Sequence, residues 1–530
     1  MNVIRNAATF ADRKPAGLQW FKACTFLLAG RSSCNRTVGV RPDCVNGRLV
    51  AVDNQNGIAF SSSADFAQDC AVCFILRTTM TLKRLLPVLI STAGLFALSG
   101  CAEQLGLAPA PPKSAAIVVG DEPYAVKAAA AVMARGGNAV DAASAMYFAL
   151  SVTYPVAAGL GGGGICLVHN PATGANEEFD FLARDAANGG IFAVPGNVMG
   201  FAAVHAAYGA LPWSRVISPS ESLAATGFPI SQALATRLAA SENVIRLDAG
   251  LAAEFMDETG RVKPVGAIVS SPELAGTLAA IRTQGSDDFY AKRVGSQIVA
   301  YSSAQGGSIS LAELSAYRVT RSVPQTLHWG NQKIFLPRQE TGAGVFAGTL
   351  FERLSNAVAA SSLSDNTEAA VVEATKSTLR DFGVADLPND LGSTGFAATD
   401  TNGQGIACAV TMNGPFGSGH TAQGTGVTLA KAPQSSRAGL AAAFLIPVVA
   451  TDNDGNLVLV GAGAGGPIGT ASISDALARL GKGQVVTRRG KASVSGLALY
   501  DTVNVILCDD SGCSALVDAG TNGLSASPMR

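Results

Sequence analysis

Asp390-Leu-Gly-Ser-Thr-Gly-Phe-Ala-Ala-Thr-Asp400, followed by Thr401-Asn-Gly-Gln-Gly405 and Ile406-Ala-Cys-Ala-Val-Thr-Met-Asn413, is the stretch on which the fold turns. It reads as a loop carrying a Ser-Thr pair, then two short strands joined by a Gly-bearing turn. A hydroxyl at such a loop-to-strand edge is either an ordinary polar side chain or a nucleophile. In the second case it becomes a new chain end after self-cleavage. The rest of the chain decides between them.

The 530 residues are enough for a large core and more than one domain. A net charge of -1 leaves no basic field, which excludes nucleic acid as a partner. With 48% hydrophobic residues and 15% charged ones, the chain is no disordered polyampholyte. Cysteines crowd the start, at Cys24, Cys34, Cys44, Cys70 and Cys73; Cys101, Cys166, Cys408, Cys508 and Cys513 follow.

That crowding coincides with an internal targeting pattern. Met80-Thr-Leu-Lys-Arg84 is a short basic region, Leu85 to Leu98 an apolar core, and Ser99-Gly100-Cys101 a small-residue cleavage site. The apolar run is too short for a comfortable membrane span. Leu98-Ser-Gly-Cys101 resembles a bacterial lipobox, in which Cys101 is lipidated and heads the mature chain. The expected layout is a lipoprotein signal peptide at 80–100 and a Pro/Ala tether at 101–114. Because a signal acts only at a chain start, residues 1–79 are expected to be untranslated upstream sequence or disordered. Cys70-Ala-Val-Cys73 has no matching second pair and gives no metal site.

Along the mature chain, Ala115–Val119 reads as a strand, Tyr124–Arg135 as a helix stopped by Gly136-Gly137-Asn138, and Ala139–Val152 as a second helix of small residues. Ile165–His169 and His328–Leu336 read as strands, and residues 340–380 as helical. The last third is strand-rich. Helices early and strands later fit an α+β layered domain. Cys508-Asp-Asp-Ser-Gly-Cys513 sits on a turn and holds either a hairpin disulfide or two unpaired thiols. Cys166 and Cys408 read as apolar core cysteines.

Gly159-Leu-Gly-Gly-Gly-Gly164 and Gly461-Ala-Gly-Ala-Gly-Gly466 formally match a dinucleotide pattern. Neither opens a helix inside a strand–helix–strand unit, so no cofactor is expected. There is no P-loop lysine and no Gly-x-Ser-x-Gly elbow. His169, His205, His328 and His420 lack metal spacing, so no metal is expected either. A hydrolase without a catalytic His needs another base. An N-terminal Ser or Thr carries one in its own α-amine, which titrates near about 7.7–8.0.

Several segments line up in order: Gly136-Gly-Asn-Ala-Val-Asp-Ala-Ala143, Gly161-Gly-Gly-Gly164, Val194-Pro-Gly196, His205-Ala-Ala-Tyr-Gly-Ala-Leu-Pro-Trp213, Gly227-Phe-Pro229, Phe416-Gly-Ser-Gly419 and Gly463-Ala-Gly-Gly466. Together they resemble the γ-glutamyltranspeptidase family (glutathione hydrolases) across residues 115–500. The resemblance implies a four-layer αββα Ntn-hydrolase sandwich, built from large and small subunits of one self-cleaved precursor. Counting back from Asp400, as the family's spacing directs, reaches Ser393. Cleavage is therefore expected at Gly392–Ser393, with a large-subunit-like region at 115–392 and a small-subunit-like region at 393–530. Thr394 is the nucleophile if the register slips by one. Thr411 matches a Thr that supports the nucleophile, and Asn413 a substrate-contacting Asn. Gly465 and Gly466 match the oxyanion-hole pair, and Arg184, after a two-residue gap, a carboxylate-binding Arg. The resemblance implies a small-molecule amide or γ-glutamyl substrate. With the lipobox it places the protein in the bacterial envelope, lipid-anchored on a periplasmic or outer face.

The chain also departs from the family pattern. Where a Ser-Ser pair precedes a Pro to hold a glutamyl carboxylate, Ala443 and Phe444 precede Pro447. Where an Asp binds the substrate amine, the stretch Ala430-Lys-Ala-Pro-Gln434 has no acid. A second reading is accordingly a non-catalytic lipoprotein that uses the fold as a binding or scaffold domain.

Overall fold

The computed structural model describes residues 115–360, 367–384, 390–434, 439–481, 502–510, 512–517 and 522–528, with four two-residue strands before them. The chain divides into two compact units, Met1–Leu107 and Ala108–Arg530. Within the first, Phe21–Lys22 pairs with Thr37–Val38, and Ala51–Val52 pairs with Ala59–Phe60. The segment 80–114, including Cys101, lies outside the described residues, as do Cys70 and Cys73.

The second unit begins with β1 (Ile117–Gly120), α1 (Pro123–Ala134), α2 (Ala139–Thr153), β2 (Gly163–Asn170) and β3 (Ala175–Phe181). It continues with α3 (Asn197–Tyr208), α4 (Gln232–Ala240), β4 (Thr320–Ser322), β5 (Gln325–Trp329), β6 (Gln332–Leu336), α5 (Gly342–Ala360) and α6 (Thr367–Asp381). Then come β7 (Ser393–Thr399), β8 (Gly405–Thr411), β9 (Ile446–Asp452), β10 (Leu457–Ala464), α7 (Pro467–Gly481), β11 (Thr502–Asp509), β12 (Gly512–Leu516) and β13 (Leu524–Ala526). The strands form two antiparallel sheets, ordered β4-β3-β2-β8-β7-β1-β13 and β5-β6-β9-β10-β11-β12.

The sheets face each other. Val119, Leu167, Ala397 and Ala407 of the first share one apolar cluster with Val449, Val460 and Ile506 of the second. On the outer face of the first sheet, Phe179, Phe396, Cys408 and Val410 pack with Met146 and Tyr147 of α2 and Phe201 of α3. On the outer face of the second, Ile334, Ile446 and Val505 pack with Phe351 of α5 and Ile473 and Leu477 of α7. The order is helix, sheet, sheet, helix, the αββα sandwich the sequence led us to expect. Because helices cover both outer faces, every residue of β7 and β8 is buried. Small residues let the sheets close up: a methyl group on Gly395 would stand 2.9 Å from the Ala462 Cβ. That closeness is one reason the chain is rich in Gly and Ala and poor in aromatics.

The expected helices form, with sharper ends. Asn138 caps α2, its side chain accepting from the Asp141 N–H while the Asp141 carboxylate accepts from the Asn138 N–H. Three expectations need correction. His328–Leu336 is no single strand; Gly330, at φ 57°, turns the chain so that β5 and β6 pair as a hairpin, His328 opposite Lys333. The Ser-Thr pair is no loop, because the β7–β8 ladder extends to Ser393 opposite Thr411. Cys166 and Cys408 are no separate core thiols. They face each other directly across β2 and β8 and form a disulfide. Cys508 and Cys513 also form a disulfide, closing the β11–β12 hairpin.

Candidate active site

Side chains alternate along β7. Phe396 and Ala398 face the helices, and Ala397 faces the second sheet, so Ser393 opens the strand on the inter-sheet side. Its cross-strand partner Thr411 lies on the same side as Ala407 and Ala409. The Ser393 hydroxyl donates to Thr411 Oγ1 at 2.9 Å. Thr411 Oγ1 is 3.1 Å from the carbonyl oxygen of Gly392, to which it donates, and the Met412 N–H donates to that same oxygen at 2.8 Å. The Asn413 N–H donates to Thr411 Oγ1 at 2.9 Å, which holds the hydroxyl in place. The result is a line from Ser393 Oγ through Thr411 to the carbonyl of the preceding peptide bond. Two donors polarise that carbonyl, and a hydroxyl of the next residue stands beside it, with the Ser393 and Thr411 side chains both buried.

Backbone geometry sets the Gly392–Ser393 bond into this arrangement. Gly392 has φ 62°, and a Cβ there would lie 1.9 Å from the Gly414 carbonyl oxygen. Only glycine fits. Gly392→Ala must push the peptide out of line with Thr411 and Met412. A displacement of about 1 Å can cost a catalysed step on the order of 100-fold. The substitution is expected to leave a folded chain, by circular dichroism, that is cut at least that much more slowly on a denaturing gel.

A buried ion pair, missed from sequence, anchors the same bond. Arg237 of α4 donates to both carboxylate oxygens of Asp390, at 2.9 Å from Nε to Oδ2 and through Nη2 to Oδ1. Its Nη1 donates to the Ser393 carbonyl at 3.2 Å, and Asp390 Oδ1 accepts the Gly392 N–H at 2.7 Å. The guanidinium also lies over the Tyr154 ring, 5.2 Å from its centre. Burial alone disfavours the cation, but the Asp390 carboxylate outweighs it and keeps Arg237 firmly charged. The backbone on both sides of the Gly392–Ser393 bond is therefore fixed by one charge pair.

Thr394 points the other way. Its hydroxyl donates at 2.6 Å to Asp121, at the end of β1, which also accepts at 2.8 Å from Asn504 of β11. Asn504 Nδ2 also lies 2.8 Å from the Gly395 carbonyl. Thr394 thus joins β1, β7 and β11, while the hydroxyl beside the Gly392 carbonyl belongs to Ser393.

The remaining expected residues divide. Gly465, at φ 88°, and Gly466 follow Ala464, which packs with Ala409, Leu445 and Ala462. Asn413, at φ 60°, donates from Nδ2 to the Lys431 carbonyl at 2.9 Å. Arg184 is exposed, donates to the Arg318 carbonyl at 3.0 Å and stacks over Tyr317; the structure brings it into no contact with Ser393, Thr411 or Asn413. In the expected carboxylate-clamp position Phe444 packs edge-on against Phe346, 4.8 Å between ring centres, in an apolar cluster with Leu391. Lys431, also missed from sequence, has its ammonium 3.3 Å from where a Cβ of Gly414 would be, on the turn that leaves β8. A separate cavity of about 510 Å³ is lined by Ser151, Glu254, Ser271, Thr421 and Gln423 among others and shares no residue with this site.

Residues 125–383 match the Gamma-glutamyltranspeptidase family. Glutathione hydrolase 2 of Arabidopsis thaliana is 34% identical over 211 residues, covering 36% of this chain and 36% of that protein. The glutathione hydrolase proenzyme of Pseudomonas aeruginosa is 29% identical, covering 43% and 44%. This chain belongs to the γ-glutamyltranspeptidase family. An Acylase ACY 1 proenzyme from a Pseudomonas species is 30% identical, covering 44% and 46%. The matches thus span 36–46% of the length of these curated relatives. Among solved structures, cephalosporin acylase from Bacillus halodurans superposes with a TM-score of 0.63 at 17% identity, covering 78% of this chain and 96% of that one. At that identity the likeness concerns the fold. For a γ-glutamyltranspeptidase-family chain, the Ser393–Thr411–Gly392 line is the feature with evident chemistry. Where the sequence comparison expected an acid and a Ser-Ser pair, the chain has Ala430-Lys-Ala-Pro-Gln434 and Ala443-Phe444.

Proposed function

We propose that this protein is an exported, self-processing Ntn hydrolase that cleaves amides by acyl transfer through Ser393. The observation that carries the reading is the hydrogen-bonded line Ser393 Oγ–Thr411 Oγ1–Gly392 O at the head of β7. In the first step the Ser393 oxygen bonds to the Gly392 carbonyl carbon. Its proton passes to Thr411 Oγ1, whose own proton moves to the carbonyl oxygen. Collapse re-forms the carbonyl and breaks the C–N bond, the oxygen's proton passing back through Thr411 to the departing nitrogen, and leaves an ester on Ser393 Oγ and a free Ser393 amine. Water then hydrolyses the ester, giving a large subunit ending in the Gly392 carboxylate and a small subunit beginning at Ser393.

The freed amine, with an ordinary pKa near about 7.7–8.0, is partly neutral at physiological pH and takes the Ser393 hydroxyl proton in each later turnover. The backbone N–H groups of Gly465 and Gly466 stabilise the tetrahedral oxyanion, and Asn413 contacts the substrate. Water or an amine receives the acyl group. Lipidation at Cys101 and the 101–114 tether would hold the enzyme on a membrane of the bacterial envelope.

A γ-glutamyl group carries both an α-carboxylate and an α-ammonium, and burying each needs a partner. Here the rim has the Lys431 cation and no acid in 430–434. That charge favours an acyl chain with a carboxylate and no ammonium. Glutaryl-p-nitroanilide is expected to be hydrolysed with about fivefold higher kcat/KM than γ-glutamyl-p-nitroanilide, the size of one screened charge contact of ~1 kcal/mol. Lys431→Glu should reverse the order. Cleaved protein that releases p-nitroaniline from neither compound would defeat the enzymatic reading.

A further inference from the structure

We propose that Cys166–Cys408 becomes an inter-subunit cross-link, so that the mature protein is a covalently joined pair of chains. This rests on the self-cleavage proposed above. Cys166 lies on β2 and Cys408 on β8, as direct register partners with Cα atoms 4.2 Å apart and the sulfurs bonded. They are separated by 242 residues, and Gly392–Ser393 falls between them. A cut there leaves Cys166 in the large subunit and Cys408 in the small one. The bond crosses the central strand pair of the first sheet, where a strand preceding the cut adjoins one following it. Cys508–Cys513 serves as an internal contrast, since both of its residues follow the cut and it can join nothing.

Both cysteines of the cross-link are fully buried under the α2–α3 layer, beside Phe396. An oxidant cannot reach them once that layer has closed. Oxidation therefore accompanies folding and precedes the cut, which needs the folded site. The two thiols lose two protons and two electrons to a disulfide of a thiol–disulfide oxidoreductase, which leaves as a dithiol. Such a partner fits an exported protein. The link converts reassociation of the halves into an intramolecular event at an effective concentration on the order of millimolar. Its burial shields it from reductant in the native state.

The test is a denaturing gel of the purified full chain, thiols first trapped with iodoacetamide, run with and without reductant. The expected result is one band of full mass without reductant and two with it, and two bands in both lanes for Cys166→Ala/Cys408→Ala. Two bands from the unreduced native sequence would overturn the cross-link while leaving self-cleavage standing. One band in both lanes would overturn self-cleavage, and with it the inter-subunit role. Peptide mapping without reductant then separates the cases further: a linked Cys166–Cys408 peptide is expected in every preparation, and its absence overturns the bond itself.

Discussion

Ser393→Ala is expected to leave the chain in one piece and to abolish turnover of any acyl substrate. The oxygen it removes has two roles. Before cleavage it donates to Thr411 and stands beside the Gly392 carbonyl. In the proposed mechanism it carries the acyl group after cleavage. Loss of a nucleophile costs roughly 10⁶-fold in rate, or about 8 kcal/mol at ~1.36 kcal/mol per tenfold. The variant should still fold, because an alanine at a strand start leaves Thr411 bonded to Gly392 and to Asn413. Thr394→Ala is the matched control. It removes one donor to Asp121, at about 1–3 kcal/mol of stability, and is expected to leave the cut where it is. A gel and an intact mass for the two variants side by side decide between the hydroxyls. Cleavage retained in Ser393→Ala would transfer the role elsewhere.

Arg237→Leu has the second-largest expected effect. It leaves the Asp390 carboxylate buried without its bidentate partner, a loss of about 3–5 kcal/mol, read as a lower urea midpoint at unchanged slope. It also frees the Ser393 carbonyl that Arg237 holds. Stability and positioning separate in the double variant Arg237→Leu/Asp390→Leu. With both charges gone no buried ion is left unpaired, so the midpoint should recover most of the loss. Gly392 still lacks the acceptor for its N–H, so cleavage should stay slow. Recovery of cleavage together with stability would reduce the pair to a purely structural role.

The residues legible in the sequence are those fixed by local pattern. The two strands and their turn were legible that way, whereas Ser393 and Thr411 were singled out by the family resemblance; the β7–β8 register then puts them opposite each other. Gly392 entered only as the residue before the expected cut; its positive φ and the approach of Gly414 belong to the fold. Arg237 had an overlooked signal. Ala233, Leu234 and Leu238 form the buried stripe of α4, and Arg237 lies on it, where a cation requires a buried acid. Its partner Asp390 lies close before Ser393 yet is 153 residues from Arg237 in sequence. The Cys166–Cys408 bond was hidden for the same reason, since nothing local indicates that β2 pairs with β8. Arg184 was placed by analogy across a gap, and the chain uses it on the Arg318 carbonyl and Tyr317.

The most direct test of the central claim is the set of N-terminal sequences present in purified protein, read after reduction and denaturation. The account predicts a second terminus reading Ser-Thr-Gly-Phe-Ala, beginning at Ser393, in the preparation that hydrolyses substrate. A single intact chain, or a second terminus at Thr394, would contradict it.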